Sequence, residues 1–223
     1  MEHAAGYLFH IGPLGVTSHV TTMWGIMAVI AIISFVATRN MQRQPSGVQN
    51  IVEMVVEALL NFFGDILGEK KARKFLPFLA TLFLFILFSN YSGLLPGAGH
   101  ITGLAAPSST WSVTAGLAIC VFFATHFYGV RAHGIRYFKS FTQPIIFLLP
   151  LNIVEQFVRP LSLSLRLFGN IYGEEMTLAV LLSLVPYFVP ITMMALSLLF
   201  GLIQAVVFTL LASIYFLEAV EEH

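Results

Sequence analysis

Leu161-Ser-Leu-Ser-Leu-Arg166-Leu-Phe-Gly-Asn170 sets a cation inside a nearly unbroken apolar stretch that runs from Thr142 to Leu217. Within ten residues on either side the only acids are Glu174 and Glu175. A charge at membrane depth costs at least ~2.5–3.5 kcal/mol on the mildest insertion scale, so a chain keeps one only where it faces a polar cavity or a partner's charge. Arg166 therefore reads as a functional residue.

Composition widens that reading to the whole chain. Hydrophobic residues make up 57% and charged residues 10%, against about 45–50% and about 25% in soluble domains. This is the composition of an integral membrane protein. Eleven Lys+Arg balance eleven Asp+Glu, which gives no net pull toward nucleic acid. Cys120 is the single cysteine and cannot form an internal disulfide. The segment 1–19 carries Glu2 and three histidines but no Lys or Arg, so neither a secretory signal nor an Arg-rich transit sequence is expected, and the first apolar segment is expected to be retained.

A hydrocarbon core about 30 Å thick needs about 20 apolar residues of helix. Segments 20–38, 75–95 and 111–130 meet that length, and the stretch from Thr142 to Leu217 exceeds it. Residues 142–184 number 43 and would form a helix about 65 Å long. A break near Pro160 would put Arg159 and Arg166 at an outside turn, against the enrichment of Lys and Arg in cytoplasmic loops. One long tilted helix is expected instead, turning at Val185-Pro186-Tyr-Phe-Val-Pro190 into a second, antiparallel helix over 191–217. In 46–74, Val48, Ile51, Val52, Val55, Leu59, Phe62 and Ile66 recur at helical spacing against Glu53, Glu57, Asn61 and Asp65, the pattern of an amphipathic helix along the surface. The fold class is thus an all-α integral membrane protein, a single membrane domain over 1–223. It has about five membrane helices and one amphipathic surface helix, the last two membrane helices being long, tilted and antiparallel. Arg39, Arg43, Lys70, Lys71, Arg73 and Lys74 fall in one connection and Arg131, Arg136 and Lys139 in another, while Pro96–Thr110 has no Lys or Arg. The orientation rule then places the N-terminus outside and the C-terminus in the cytoplasm.

At 100° per residue, Asn152, Glu155, Arg159, Ser162, Asn170, Gly173 and Thr177 fall within about 40° of Arg166. Lipid does not tolerate a face so polar over about seven turns, so it must meet protein or water. Glu155 and Ser162, on the inner part of that stripe, are candidates for a cytoplasmic ion path. Glu175 points the opposite way and Glu174 to the side, which suggests two aqueous environments beside one helix. On the return helix Ser197, Gly201, Gln204, Phe208 and Tyr215 share a face, and Gln204 is a plausible second polar contact near Arg166. Gly169 and Gly173 have the spacing for close helix approach on the arginine side. His126 reads best as a hydrogen-bonded core histidine. P-loop, zinc-site and nucleophile-elbow patterns are absent from the sequence, so no cofactor, no metal and no bond chemistry by the chain alone are expected.

Arg159-Pro-Leu-Ser-Leu-Ser-Leu-Arg166-Leu-Phe-Gly-Asn170-Ile-Tyr, with the Gln204 helix, the closing Glu-Glu-His and Asn90-Tyr-Ser-Gly-Leu-Leu-Pro96, resembles the a-subunit family of F-type ATP synthases over nearly the whole chain. The resemblance implies a stator subunit of the membrane motor that passes H⁺ or Na⁺ through two offset half-channels to a carboxylate on each subunit of a rotating c ring. It implies partners in that ring, in the b-subunit peripheral stalk and in the remainder of the synthase, and a bacterial inner-membrane setting. Arg166 matches the essential arginine between the half-channels, Asn170 and Gln204 match polar residues beside it, and Glu175 matches a glutamate of the outer half-channel. Many relatives have histidine where this chain has Ser197, and Glu174 is an additional acid, so the outer path involves Glu174, Glu175 and Ser197 together. Relatives also carry Asp and Asn where Pro107-Ser-Ser-Thr110-Trp-Ser112 has only hydroxyls. A stand-alone secondary transporter or channel is the competing reading, but such proteins commonly show internal repeats around a site, and none is visible here.

Overall fold

A computed structural model describes residues 7–11, 14–39, 41–42, 47–95, 105–134, 137, 149–184 and 188–221. Six helices account for nearly all of them: α1 Ser18–Arg39, α2 Val48–Leu67, α3 Glu69–Ser92, α4 Trp111–His133, α5 Leu149–Leu184 and α6 Phe188–Val220. A short 3₁₀ turn, Pro107–Ser109, precedes α4. The departure from an all-helical chain is an N-terminal hairpin in which β1 (Tyr7–Ile11) pairs antiparallel with β2 (Leu14–Thr17). Its strands are shorter than the windows in which hydropathy is read, so no expectation covered them.

The amphipathic stretch 46–74 is not one helix: α2 ends at Leu67, and Gly68 takes φ +76°, with its N–H bonded to Gly64 O at 2.9 Å. Positive φ is open to glycine without a Cβ penalty, so one residue redirects the chain while the apolar spacing runs on. Lys70, Lys71, Arg73 and Lys74 consequently form the first turns of α3 rather than a loop. Helix α5 runs on through Pro160, although that residue lacks the N–H that would bond the carbonyl of Gln156. The first part of the long segment, 142–148, and the turn at 185–187 lie outside the described residues.

The core is organised around α6, which packs against α2, α3, α4 and α5. Ala72, Phe75, Leu79, Leu82 and Ile86 of α3 recur every three or four residues and share one buried cluster with Phe63 and Leu67 of α2, Val121 of α4, Leu163, Leu167 and Ile171 of α5, and Ala205, Phe208, Ala212 and Phe216 of α6. The rings of Phe75, Tyr128 and Phe216 lie 4.8–5.4 Å apart in edge-on or tilted contacts. Alternation of small and large residues on α6 lets α3 approach. A Cβ at Gly201 would sit 3.2 Å from Asn90 Cβ and 3.4 Å from the Tyr91 ring, and Asn90 Nδ2 donates to Gly201 O at 2.9 Å. Gly201→Val should therefore force α3 and α6 apart, at a cost of about 1–3 kcal/mol for overpacking. The expected result is less subunit in the assembled membrane complex on native gels; unchanged assembly would show that the contact is dispensable.

Large apolar side chains cover the outside, among them Ile32 and Phe35 of α1, Phe123 of α4, and Phe157 and Leu184 of α5. In water such a surface would aggregate, whereas in lipid it is solvated. Helices α1, α3 and α4 and the Pro190–Val220 part of α6 are long and apolar enough to cross a membrane. Helix α5 has the length but also holds Glu155, Arg159, Arg166, Glu174 and Glu175, and those charges define the site.

Candidate ion-translocation site

Three polar contacts tie α5 to α6. Glu174 meets the Ser197 hydroxyl in a side-chain hydrogen bond, Asn170 Nδ2 donates to Gln204 Oε1 at 2.6 Å, and Arg159 pairs with Glu218. As the α5 positions fall, their α6 partners rise, as antiparallel helices require. Arg166 lies between the Glu174 and Arg159 contacts, about 12 Å along the axis from the first and about 10.5 Å from the second.

The Glu174 end borders a cavity of about 40 Å³ lined by Asn90, Glu174, Glu175 and Ser197 among apolar residues. Both glutamates reach it, although ideal geometry puts them 100° apart on the helix. The Oδ1 of Asn90 and the Oγ of Ser108, a residue of the 3₁₀ turn, are buried without a hydrogen-bond partner. Carboxylates beside the unpaired buried oxygen of Asn90 form a setting in which water is stable. Asn90 carried no assigned role in the sequence, where it opens the Asn90-Tyr-Ser-Gly-Leu-Leu-Pro96 motif at the end of an apolar span.

The Arg159 end borders a smaller cavity of about 20 Å³ lined by Thr125, His126, Gln156, Arg159 and Tyr215. Arg159 Nη2 donates to Glu155 Oε1 at 2.6 Å, and its guanidinium lies 5.2 Å from the centroid of the Tyr215 ring. The His126 Nδ1 is 3.1 Å from Phe122 O, and its ring packs 4.2 Å from that of Phe122. Glu155 and Ser162 are exposed on the arginine face and do not line this cavity. The involvement of Glu218, 59 residues from Arg159, was not visible in the sequence, where it reads only as part of an acidic helix end.

Between the two cavities, Arg166 is exposed and makes neither a hydrogen bond nor an ion pair with any described residue. One turn on, Asn170 is held by Gln204, whose side chain is 3% exposed and whose Nε2 has no partner. A Cβ added at Gly169 or Gly173 would meet nothing within 4 Å. The small-residue face suited to close helix approach is thus open, and no described part of this chain fills it. Among the described residues no cluster of His, Cys, Asp and Glu could hold a metal ion. Chemically, the arrangement offers two separate polar recesses with a free cation between them. That suits the handling of a mobile ion rather than the making of bonds.

Comparison with known proteins fits this geometry. The family model described as ATP synthase A chain matches residues 20–217. The chain is 42% identical over 214 residues to ATP synthase subunit a 2 of Bradyrhizobium sp., covering 96% of this chain and 93% of that one. It is 41% identical over 217 residues to ATP synthase subunit a of Moorella thermoacetica, covering 97% and 96%. With ATP synthase subunit a 1 of Syntrophotalea carbinolica the identity is 43% over 212 residues, covering 93% and 88%.

Proposed function

The chain belongs to the ATP synthase A chain family, and from that premise we propose how its residues divide the work of ion translocation. It is a non-catalytic membrane subunit of the F-type ATP synthase with the ion-channel role of that family, and it works as part of the larger complex. ATP chemistry takes place in other subunits, and a stand-alone transporter is not favoured.

In the proposed division, the cavity lined by Asn90, Glu174, Glu175 and Ser197 belongs to the outer half-channel, and Glu155 and Ser162 to the cytoplasmic one. Arg166 stands between them as the charge partner of a carboxylate on each c-ring subunit, with Asn170 and Gln204 fixing the surface beside it. The c ring packs on the open face of α5, the b-subunit stalk binds elsewhere on the chain, and the protein sits in a bacterial inner membrane with its N-terminus outside. The ring then turns because its carboxylate can lose its ion beside Arg166 and regains one on leaving, since an opposite charge lowers a carboxyl pKa and burial raises it.

The observation that carries this reading is Arg166, unpaired among the described residues, beside Gly169 and Gly173 on a face that no described residue covers. Gly173→Cys, made with Cys120→Ser to remove the exposed native thiol, should form a disulfide with a cysteine placed next to the ring carboxylate when membranes are oxidised. Helix backbones close enough for that lie with Cα atoms about 4.4–6.8 Å apart. Failure to cross-link at both Gly169→Cys and Gly173→Cys would move the ring to another face.

A further inference from the structure

Two arginines share one face of α5, and the structure treats them in opposite ways. The guanidinium of Arg159 bonds Glu155 Oε1 through Nε at 3.2 Å and Nη2 at 2.6 Å, and its Nη1 pairs with Glu218 on α6. Its planar face rests on Tyr215. One cation is therefore met by two carboxylates and an aromatic ring, from two helices. Arg166, two turns further along, meets none. Tyr215 lies close enough to feel both charges.

The difference matters because of where the two charges lie. Helix α5 has 36 residues, about 54 Å of length against a core of about 30 Å, so in the membrane it leans. Two turns along a leaning helix are a displacement in the membrane plane as well as in depth. A carboxylate carried past this face comes near the Arg159 position and the Arg166 position at different moments. A second unpaired cation about 10.5 Å from the first would offer the carboxylate a second resting place, since a partly buried charge at that distance is only partly screened.

We propose that Glu218, together with Glu155, sequesters Arg159 so that Arg166 alone presents an unpaired positive charge to the moving carboxylate. Glu218 is the positioning residue in this scheme: it acts on Arg159 and need not touch the ion. Glu221 strengthens the arrangement by pairing with Lys71 at 3.1 Å, and His133 Nε2 lies 3.2 Å from Val220 O. The last turns of α6 are thereby held to α3 and α4 while Glu218 reaches α5. The inference rests on the motor reading above.

The test is ATP-driven pumping in membrane vesicles containing the whole complex, scaled to the amount assembled. Glu218→Gln should slow pumping roughly two- to fivefold, the scale of a partly screened ion pair. Adding Arg159→Gln to it should restore the rate, because the charge needing cover is gone. An unaltered rate in Glu218→Gln overturns the proposal, and so does slowing that Arg159→Gln does not relieve. Should Glu218→Gln fail to assemble, Arg159→Gln alone decides: an unaltered rate supports sequestration, and loss of pumping overturns it. Arg166→Ala in the same series separates the two levels, because pumping that survives it sinks the motor reading itself, whereas its loss alongside an indifferent Glu218→Gln variant sinks only this inference.

Discussion

Arg166→Ala should abolish ATP-driven proton pumping in vesicles while leaving the subunit in the assembled complex. Arg166 makes no hydrogen bond or ion pair with a described residue that its removal would break, and its side chain is exposed. Assembly therefore has little to lose. Function has much to lose, because a cation within about 4–6 Å lowers a carboxyl pKa by about 1–3 units, each unit being about 1.36 kcal/mol. Without it, the ionised carboxylate at the interface becomes rarer by about tenfold to a thousandfold, and rotation past that point stalls. Passive leak is the second quantity to record. A cation between two wet recesses also repels a hydronium ion or Na⁺ that would run straight from one to the other, so leak should rise as pumping falls. Arg166→Lys should retain part of the activity, keeping the charge but not the planar, delocalised fork. Pumping near the unaltered rate in Arg166→Ala would leave the motor reading without its centre.

That Arg166 could be singled out at all shows what kind of information a membrane sequence exposes. Hydropathy and the 100° periodicity are local, so the apolar helices and the polar stripe along α5 could be read directly. The N-terminal hairpin and the break at Gly68 could not, the first because its strands are so short and the second because one residue in positive φ leaves the pattern intact. Arg159 and Arg166 looked alike in sequence, both inside the apolar stretch and on one face. Only the position of Glu218, brought back by the antiparallel return of α6, makes one of them a paired cation and the other a free one. Similarly, Gly169 and Gly173 advertised a close approach, but nothing in the sequence could say that no described residue of this chain would supply the neighbour. The close approach that the chain does make, between Gly201 and Asn90, joins residues more than a hundred positions apart and needed the fold to be seen.

The Glu174 cavity leads to the second large expected effect, and here the arrangement predicts redundancy. Glu174 is partly buried and bonded to Ser197, Glu175 is more exposed, and both line the same recess with Asn90. Glutamine keeps the size and most of the hydrogen bonding of glutamate but cannot take up and release a proton. If either carboxylate can serve the recess, Glu174→Gln and Glu175→Gln should each lower pumping only about twofold, while the double variant falls by at least about tenfold, the low end of what a positioned proton carrier supplies. Neighbouring groups that share a site are expected to be non-additive in this way. Glu2→Gln, far from the site in sequence, serves as the control and should change nothing. Additive losses would mean that the two glutamates act at separate steps, and a double variant that pumps normally would take the cavity out of the ion path. Because a neutral recess still holds water, passive leak should stay low in the double variant, provided Arg166 remains the barrier. A leak that rises with Arg166 intact would assign sealing to the glutamates as well, and the division of labour along α5 would have to be redrawn.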